Sequence, residues 1–401
     1  RFIVCSRSPL TLGLGESSAG GSWGPKFKSC GFDALIIRGS SNRPVYLWIH
    51  SGQCEIHDAS HLWGKDTYET VDIMRKDLGV QDISVACIGP AGENLVKIAG
   101  IVCDKTRVCG RLGLGAVMGS KKLKAIAVKG ALKVPIADAD KLLEKTKEIF
   151  SKVSKKAERF RKYGTQASVY ALLELNDTPL KYWSKGLWGS REKFEGDRVL
   201  QEYGIRRRAC YLCPIGCEGL MEIDGEVCRA PEYEAMAALG PLCLVDDLKG
   251  IARANNLCNK LGLDVISVGN VIAFAMECTE KDILPKDFER IEWGDVKAQL
   301  KLIEDIAYRR SKLGSLLAEG VTRVAKVLGV GDLAVTVKGL EVAMHDPRAA
   351  YSSALMYATQ PRGGSHTDLT YLNELRGFTI PEIGITSKLE RFSTKGKAEL
   401  V

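Results

Sequence analysis

The chain has 401 residues, of which 45% are hydrophobic and 26% charged, and its formal net charge is +8. The length exceeds what one hydrophobic core usually serves, and no apolar run is long enough to cross a membrane. The lysines and arginines are scattered without interleaved aromatic residues, which excludes a typical nucleic-acid-binding pattern but suits steering of an acidic electron carrier.

Thirteen cysteines occur without the regular spacing of a disulfide framework. A chain of this size does not need disulfides to fold, so the cysteines indicate free thiols and a metal site in a reducing compartment. We therefore expect a cytoplasmic protein.

Residues 1–135 are predicted to form a β-rich domain. The chain opens at Arg1, without an initiator methionine and inside a strand-like phrase, so we interpret it as part of a longer protein. Alternating and β-branched apolar residues predict four further strands, and one helix interrupts them. The predicted strands are Ala34–Gly39, Val45–Ile49, Ile83–Ile88 and Ala125–Val128, and the helix is Thr67–Leu78.

Helical periodicity replaces the strand pattern in residues 136–335. A Lys/Glu-rich amphipathic helix is predicted at Ala137–Lys162, and helical spacing dominates Glu232–Val327. Residues 336–401 contain further proline and glycine and are predicted to begin a third, helical domain. The predicted fold class is α+β, with a β-rich N-terminal domain followed by α-helical domains.

Two glycine-rich segments are candidates for binding an anionic ligand. Ser17–Gly24 contains three glycines, which allow backbone amides to approach a ligand closely or form a plain loop. Arg107–Lys121 contains Gly113-x-Gly115-x-x-x-Gly119 beside two arginines, a set that suits a phosphate-bearing cofactor. Close helix packing on small residues is the alternative explanation for these glycines.

The most specific motif is the CxxCxxxC spacing of Cys210, Cys213 and Cys217. Three thiolates on a turn that contains proline and glycine can converge on an iron–sulfur cluster. Zinc and ordinary buried thiols are the alternatives, although the second CxxC pair of many zinc sites does not occur in this sequence.

Three polar positions elsewhere have both a structural and a functional interpretation. Glu234 begins a predicted helix, where a carboxylate often interacts with the helix dipole. Asp264 follows Gly262 as a predicted N-cap after a predicted C-cap. His366 is one of five histidines and follows an Arg-Gly-Gly turn, which favours exposure to a pocket, although a lone histidine is more often structural.

The order of these motifs resembles the tungsten-containing aldehyde:ferredoxin oxidoreductase family over essentially the whole chain. Several phrases in register are more specific than any single glycine loop. The matching phrases lie at Arg1–Thr11, Ile88–Lys97, Gly113–Ile126, Cys210–Cys217, Pro231–Glu234, Leu261–Ser267 and Asp346–Arg348.

The resemblance implies a tungsten (or molybdenum) bis-pterin cofactor, a [4Fe-4S] cluster and a Mg²⁺ ion that bridges the pterin phosphates. Glu234 and His366 match the two side chains beside the metal, and Cys210, Cys213 and Cys217 match cluster ligands. The remaining cofactor-binding positions are Arg1 between cofactor and cluster, Ser18 near Mg²⁺, Gly20, Gly21, Arg107 and Val108 at the first pterin, and Asn259, Leu263 and Asp264 at the second.

The implied activity is oxidation of an aldehyde plus water to a carboxylic acid, with electrons passed to ferredoxin or another low-potential carrier. A homodimer or separate electron-transfer subunits are the expected assemblies. One alternative is the active-site subunit of a tungsten benzoyl-CoA reductase, which the Gly-Gly-Ser-Trp-Gly phrase at residues 20–24 keeps open. A second alternative is a non-catalytic truncated homologue.

The chain departs from the family pattern at several positions. Asn259 replaces an aspartate, Ser18 replaces an asparagine near Mg²⁺, and Asp368 stands where a lysine often pairs with the cofactor. Arg253 replaces an iron-binding glutamate, so we expect no interface iron.

The fourth cluster cysteine of the family is expected after Val401. We expect Cys228, Cys243 and Cys258, the alternatives within the chain, to be ordinary thiols.

Overall fold

The computed structural model describes residues 1–368 and 370–401. Its first part is strand-rich, as the sequence predicts. The elements of this part are β1 (Phe2–Arg7), β2 (Leu14–Ala19), α1 (Trp23–Lys28), β3 (Val45–His50), β4 (Gln53–Asp58), α2 (Thr67–Asp77), β5 (Ser84–Cys87), α3 (Pro90–Glu93), β6 (Ile101–Cys103), β7 (Arg107–Cys109), α4 (Leu114–Ser120) and β8 (Leu123–Lys129).

Six of these strands form one mixed sheet in the order β4-β3-β8-β5-β6-β7, and β1 and β2 form a separate antiparallel pair. β3 pairs with β8 in parallel, whereas the other neighbours in the six-stranded sheet are antiparallel. Side chains alternate between the two faces of a strand, so each face has its own core. Leu47 and Ile49 pack on the side of α1, and Tyr46 and Trp48 pack on the side of α2.

The rest of the chain is mainly helical. The largest hydrophobic core lies here and includes α11, which is buried over almost its whole length. The helices are α5 (Ala139–Lys156), α6 (Glu158–Tyr163), α7 (Ser168–Glu174), α8 (Gly196–Tyr203), α9 (Tyr233–Leu239), α10 (Leu248–Leu261), α11 (Val265–Glu280), α12 (Val296–Tyr308), α13 (Lys312–Leu317), α14 (Val321–Leu328), α15 (Tyr351–Thr359), α16 (Tyr371–Arg376) and α17 (Lys397–Leu400).

Two small sheets interrupt the helices. β9 (Arg206–Arg208), β10 (Glu218–Ile223) and β11 (Glu226–Arg229) form an antiparallel sheet in the order β11-β10-β9. β12 (Thr336–Val337) pairs with β13 (Leu340–Glu341). Together with the N-terminal sheets, these elements confirm the predicted α+β class. No helix within residues 1–368 and 370–401 is both long enough and apolar enough to cross a membrane.

Three of the four further predicted strands and the predicted helix at 67–78 are confirmed, but Ala34–Gly39 is not a strand. This segment has β-branched residues and no strand partner in the described structure, and Ile36 is 78% exposed. Strand propensity alone does not form a strand, because the backbone groups need a paired neighbour and the side chains need a face to pack against.

The predicted helix at 137–162 occurs as two helices, α5 and α6, which meet at Ala157. Its apolar face, at Leu142, Leu143, Ile149 and Phe150, is exposed and contributes no buried residue. The hydrophobic periodicity therefore predicted correctly that this segment is helical. It did not show whether the apolar face would be buried, and in the structure this face is exposed.

Candidate active site

The three motif cysteines lie on the loop that joins β9 to β10. Antiparallel pairing of Arg208 with Glu218 holds the two ends of this loop together. Within the loop, the Cys213 amide donates to the Cys210 carbonyl at 3.0 Å, and Leu212 has a left-handed φ of 52°. The strand pairing and this tight turn place all three thiols on one short segment, as the spacing predicts.

The spacing of the thiols bears on which metal they suit. The sulfur atoms of Cys210, Cys213 and Cys217, all within the described chain, do not lie within 4.8 Å of one another. Tetrahedral zinc with thiolate bonds of about 2.3 Å requires sulfur separations of ~3.8 Å. Burial and the nearby Glu232 raise the pKa of the Cys217 thiol. A zinc ion bound by all three thiolates would therefore require the sulfur atoms to move closer together.

The glycine pair at the end of β2 lies directly against the cysteine loop. A Cβ added at Gly20 would lie 2.8 Å from the Cys210 sulfur. Gly21 has a φ of +84°, and a Cβ there would lie 3.1 Å from Cγ of Arg107. Glycine is needed at both positions because the backbone comes this close to its neighbours. The structure thus brings Gly20, Gly21 and Arg107 together beside the first cysteine.

Arg107 belongs to a buried network of opposite charges. Its guanidinium lies 3.0 Å from Glu218 and 3.7 Å from Glu232, and Arg229 also pairs with Glu232. Burial alone would raise the pKa of Glu232, but Arg229 and Arg107 hold this pKa below its usual value. The two arginines and two glutamates of this network balance each other's charge, as buried ionic groups require.

Ser18 and Val108 line a cleft between the strand-rich and helical parts, and Arg1 reaches its edge. Nη1 of Arg1 lies 3.4 Å from Oγ of Ser18. Ser18 is placed there because it pairs with Ile3 in the β1–β2 ladder. One wall of the cleft therefore comes from the N-terminal strands.

The opposite wall is the turn between α10 and α11, with Asn259, Leu263 and Asp264. Gly262 ends α10 with a φ of +76°, as the sequence predicts for a C-cap. Asp264 caps α11 by accepting from the Ile266 amide at 3.2 Å. Its second carboxylate oxygen lies 3.1 Å from Nε of Arg111. Asp264 is thus both a cap and part of the cleft.

Glu234 and His366, the predicted catalytic pair, meet at the end of this cleft. Oε1 of Glu234 lies 3.2 Å from Nε2 of His366. Oε2 accepts from the Met344 amide at 2.9 Å. Burial lowers the pKa of His366 to about 4, although Glu234 opposes this shift. His366 is therefore neutral near pH 7, with a ring nitrogen next to a carboxylate oxygen.

The structure adds His345 to this pair, which the sequence analysis did not identify. Nε2 of His345 lies 3.6 Å from Oε1 of Glu234, and its Nδ1 lies 2.5 Å from Asp177. One carboxylate oxygen of Glu234 and one ring nitrogen from each of His345 and His366 all lie within 4.8 Å of one another. The sequence feature that could have pointed to His345 is the scarcity of histidine, because this chain has only five. Asp177 gave no signal, because it is far from His345 in sequence.

Two further arginines line the same cleft: Arg111, which belongs to the arginine pair of the 107–121 segment, and Arg362, which was not assigned a role. Arg111 contacts Asp264, and Arg362 lies 3.8 Å from Glu16. The position of Arg111 two residues before the Gly113 pattern was a usable signal for a phosphate-binding arginine.

The glycines of the Gly113-x-Gly115-x-x-x-Gly119 pattern are explained by packing. A Cβ would lie 2.2 Å from the Lys97 carbonyl at Gly113, 2.3 Å from the Gly100 carbonyl at Gly115, and 1.9 Å from the Gly92 carbonyl at Gly119. The close-packing explanation is therefore the one that the structure supports.

The other departures from the family pattern have local partners. Asp368 accepts a hydrogen bond from Gln360, and Arg253 forms a two-bond ion pair with Asp224 at 2.8–2.9 Å on the surface. Cys243 and Cys258 are fully buried, and burial raises the pKa of the Cys228 thiol to about 11. Buried neutral thiols are inert, in agreement with the prediction that these three cysteines are ordinary.

The cleft carries buried polar atoms that fit a polar cofactor. Nδ2 of Asn259, Nε of Arg111 and Oε1 of Glu234, all from residues that line the cleft, have no well-aligned hydrogen-bond partner among the described residues. Buried polar groups are almost always hydrogen-bonded, so these atoms indicate a missing partner in the cleft. Amide and guanidinium donors suit phosphate and pterin acceptors.

A strand-rich part and a helical part thus enclose a polar cleft beside a cysteine loop. The family model "Aldehyde ferredoxin oxidoreductase, N-terminal domain" matches residues 1–130. The model "Aldehyde ferredoxin oxidoreductase, domains 2 & 3" matches residues 141–401. The chain belongs to the aldehyde ferredoxin oxidoreductase family.

Individual relatives agree with this assignment. The chain is 41% identical to the tungsten-containing aldehyde ferredoxin oxidoreductases of Pyrococcus furiosus and Thermococcus kodakarensis, over 91% of its own length. It spans 62% of the length of these two relatives. It is also 33% identical, over 94% of its length, to the WOR-like subunit of an aliphatic sulfonate oxidoreductase of Pyrococcus furiosus, 64% of which it spans.

A solved structure resembles this fold as well. The active-site complex BamBC of benzoyl coenzyme A reductase, bound to 1,5-dienoyl-CoA, superposes with a TM-score of 0.78 at 28% identity. The match covers 90% of this chain and 58% of that chain.

Proposed function

We propose that this protein oxidises an aldehyde plus water to a carboxylic acid and passes the electrons to a low-potential carrier such as ferredoxin. The observation that carries the proposal is the Glu234–His366 pair at the end of a cleft that is also lined by Ser18, Val108, Asn259, Leu263 and Asp264. The names of the relatives in the family support the same reaction.

Both walls of the cleft offer residues for a bis-pterin cofactor. Gly20, Gly21, Arg107 and Val108 would hold one pterin, and Arg1 would lie between cofactor and cluster. Asn259, Leu263 and Asp264 would hold the other, and Ser18 lies where a Mg²⁺ ion would bridge the phosphates. When bound, such a cofactor supplies a metal that accepts two electrons from the substrate.

The protein's own side chains supply proton handling and orientation. Glu234 is held through Oε2 by the Met344 amide, which leaves Oε1 free to accept a proton from the reacting water or aldehyde hydrate. Neutral His366 can donate to or accept from the substrate at the same position. The two groups lie close enough, at 3.2 Å, to act on one substrate.

Electrons would leave through a cluster held by Cys210, Cys213 and Cys217. Gly20 lies directly against Cys210, so the cysteines that would hold the cluster adjoin the glycine pair that would hold a pterin. A [4Fe-4S] cluster requires a fourth ligand, which we propose to be a cysteine outside this sequence.

An anaerobic assay of the full-length protein with aliphatic and aromatic aldehydes tests the proposal. We expect carboxylic acid formation coupled to reduction of ferredoxin or a low-potential viologen dye. Absence of aldehyde oxidation by protein that contains the metal and the cluster would contradict the proposed function.

Benzoyl-CoA reduction is the second candidate function, and the similarity to BamBC favours it. The same assay with an aromatic CoA thioester and a strong reductant separates the two functions. Ring reduction without aldehyde oxidation, or co-purification of dedicated electron-transfer subunits, would favour this second candidate.

A further inference from the structure

His345 is a buried histidine whose ring cannot turn freely. Its side chain is 2% exposed. The ring stacks between two tyrosines, with centroid distances of 4.7 Å to Tyr233 and 4.0 Å to Tyr371. Tyr233 is fixed in turn, because its hydroxyl donates to the Met344 carbonyl at 2.5 Å and contacts Thr178 at 3.0 Å. The plane of the imidazole is therefore set by its neighbours.

Asp177 determines which nitrogen of this ring carries the proton. The Asp177 carboxylate is fully buried and lies 2.5 Å from Nδ1 of His345. An ionised carboxylate only accepts hydrogen bonds, so an ionised Asp177 requires a proton on Nδ1. In a neutral ring with this tautomer, Nε2 has the free electron pair, and this atom lies 3.6 Å from Oε1 of Glu234.

Glu234 presents the matching group. Its Oε2 is occupied by the Met344 amide, and its Oε1 has no well-aligned hydrogen bond among the described residues. Oε1 lies between the Nε2 atoms of His345 and His366. Of these two imidazoles, His345 has a carboxylate behind it that stabilises a positive charge on the ring.

We propose that Asp177 and His345 are positioning residues for Glu234. Asp177 fixes the tautomer of His345, so that Nε2 of His345 accepts the proton that Glu234 takes from the reaction. The proposal rests on the proposed aldehyde oxidation. Glu234 thereby returns to its ionised form between turnovers without opening the cleft to water.

The reaction requires such a route for protons. Aldehyde plus water yields carboxylate, three protons and two electrons, and the electrons go to one-electron carriers. In the proposed step the O–H bond of protonated Glu234 breaks and an N–H bond forms at His345 Nε2. No electrons move in this step, and the imidazolium is held by the Asp177 carboxylate.

Nitrogen-15 NMR of the full-length holoprotein, labelled at histidine, tests the tautomer without requiring turnover. The His345 signal is assigned by its loss in His345→Gln. We expect a neutral ring with a protonated Nδ1 in the wild type, and a change of tautomer in Asp177→Asn, whose amide can donate to Nδ1. A protonated Nε2 in the wild type, or an unchanged tautomer in Asp177→Asn, would overturn the proposal.

Kinetics separates positioning from packing. We expect Asp177→Asn to lower kcat about 10²-fold with KM unchanged, the usual size of a general acid–base contribution. Asp346→Asn is the matched control, because Asp346 is a buried carboxylate next to His345 that pairs with Arg348 instead. An equal loss of kcat in both variants would overturn the proposal. If no aldehyde is oxidised by the wild type, the proposed function fails, whereas the tautomer measurement still decides the role of the pair.

Discussion

Glu234 occupies a position where removal of one negative charge should affect chemistry more than folding. Its side chain is only 17% exposed, but its backbone begins α9 and its Oε2 contact can be kept by an amide oxygen. We expect Glu234→Gln to lower kcat for aldehyde oxidation by about 10²- to 10⁴-fold, because glutamine cannot accept the proton. Steady-state kinetics of protein with unchanged metal content measures this.

Glu277→Gln is a suitable control for this substitution. Glu277 is also buried, and it pairs with Lys281 on α11 rather than with the active-site histidines. Wild-type kcat in Glu234→Gln, or an equal loss in Glu277→Gln, would contradict a proton-accepting role for Glu234.

The lowered pKa of His366 predicts that the stability of the protein depends on pH. Its pKa in the folded protein is about 4, below the value of about 6.5 expected in the unfolded chain. The unfolded state therefore binds more protons between these values, so His366 lowers stability as pH falls from 6.5 to 4, by at most about 3 kcal/mol. Above pH 6.5 this contribution is constant.

Comparison of the wild type with His366→Gln measures this effect. Unfolding free energies at pH 7 and pH 4 should show a larger loss in the wild type than in the variant, because glutamine does not titrate. Equal losses in the two proteins would show that His366 is not buried as a neutral ring.

Cys213 tests the identity of the metal at the cysteine loop. We expect Cys213→Ser to lose iron and the visible absorbance of an iron–sulfur cluster, because serine replaces one thiolate ligand. Cys54→Ser, at an exposed thiol outside the loop, should keep both. Retention of the chromophore in Cys213→Ser, or zinc instead of iron in the wild type, would contradict the cluster assignment.

At the scale of elements, the contact between α3 and α4 depends on glycine. A side chain at Gly119 would meet the Gly92 carbonyl at 1.9 Å, and this neighbour is backbone that cannot rotate away. We expect Gly119→Ala to lower the free energy of unfolding by about 1–3 kcal/mol through overpacking. In an open helix the same change would be stabilising, since alanine has the higher helix propensity.

Gly331→Ala is the control for this prediction. A Cβ at Gly331 meets no atom within 4 Å and the backbone there is not left-handed, so the change should be nearly neutral. Denaturant unfolding of both variants measures the difference. Equal stability of Gly119→Ala and the wild type would contradict the packing explanation.

The helix ends beside the cleft were predicted correctly from the sequence. The C-cap at Gly262 and the N-cap at Asp264 could be predicted because capping depends on neighbouring residues. The strand predicted at 34–39 failed because strand formation depends on a distant partner, which local sequence does not reveal.

At the scale of the molecule, the cleft lies where the strand-rich part meets the helices. Direct hydrogen bonds hold this boundary: the Lys97 amide donates to Ala318, the Asp264 amide donates to Ile98, and Arg309 donates to the carbonyls of Asn94 and Leu95 at 3.0 and 3.1 Å. The two cofactor walls are therefore fixed relative to each other by backbone groups close to the site.

The same boundary explains which site residues could be predicted. Glu234, His366, Ser18, Val108, Asn259, Leu263 and Asp264 were named from the resemblance to the family, and they line one cleft in the structure. His345, Asp177 and Arg362 belong to no continuous motif with one another, since they come from separate parts of the chain and meet only in the folded structure. Long-range contacts of this kind are not visible in a single sequence.

Metal analysis of the full-length protein, purified anaerobically, tests the central claim most directly. The account predicts tungsten or molybdenum together with pterin, and iron in the ratio of one four-iron cluster per chain. Loss of the pterin metal should accompany loss of aldehyde oxidation. Neither tungsten nor molybdenum in protein that is folded and contains its cluster would contradict the account.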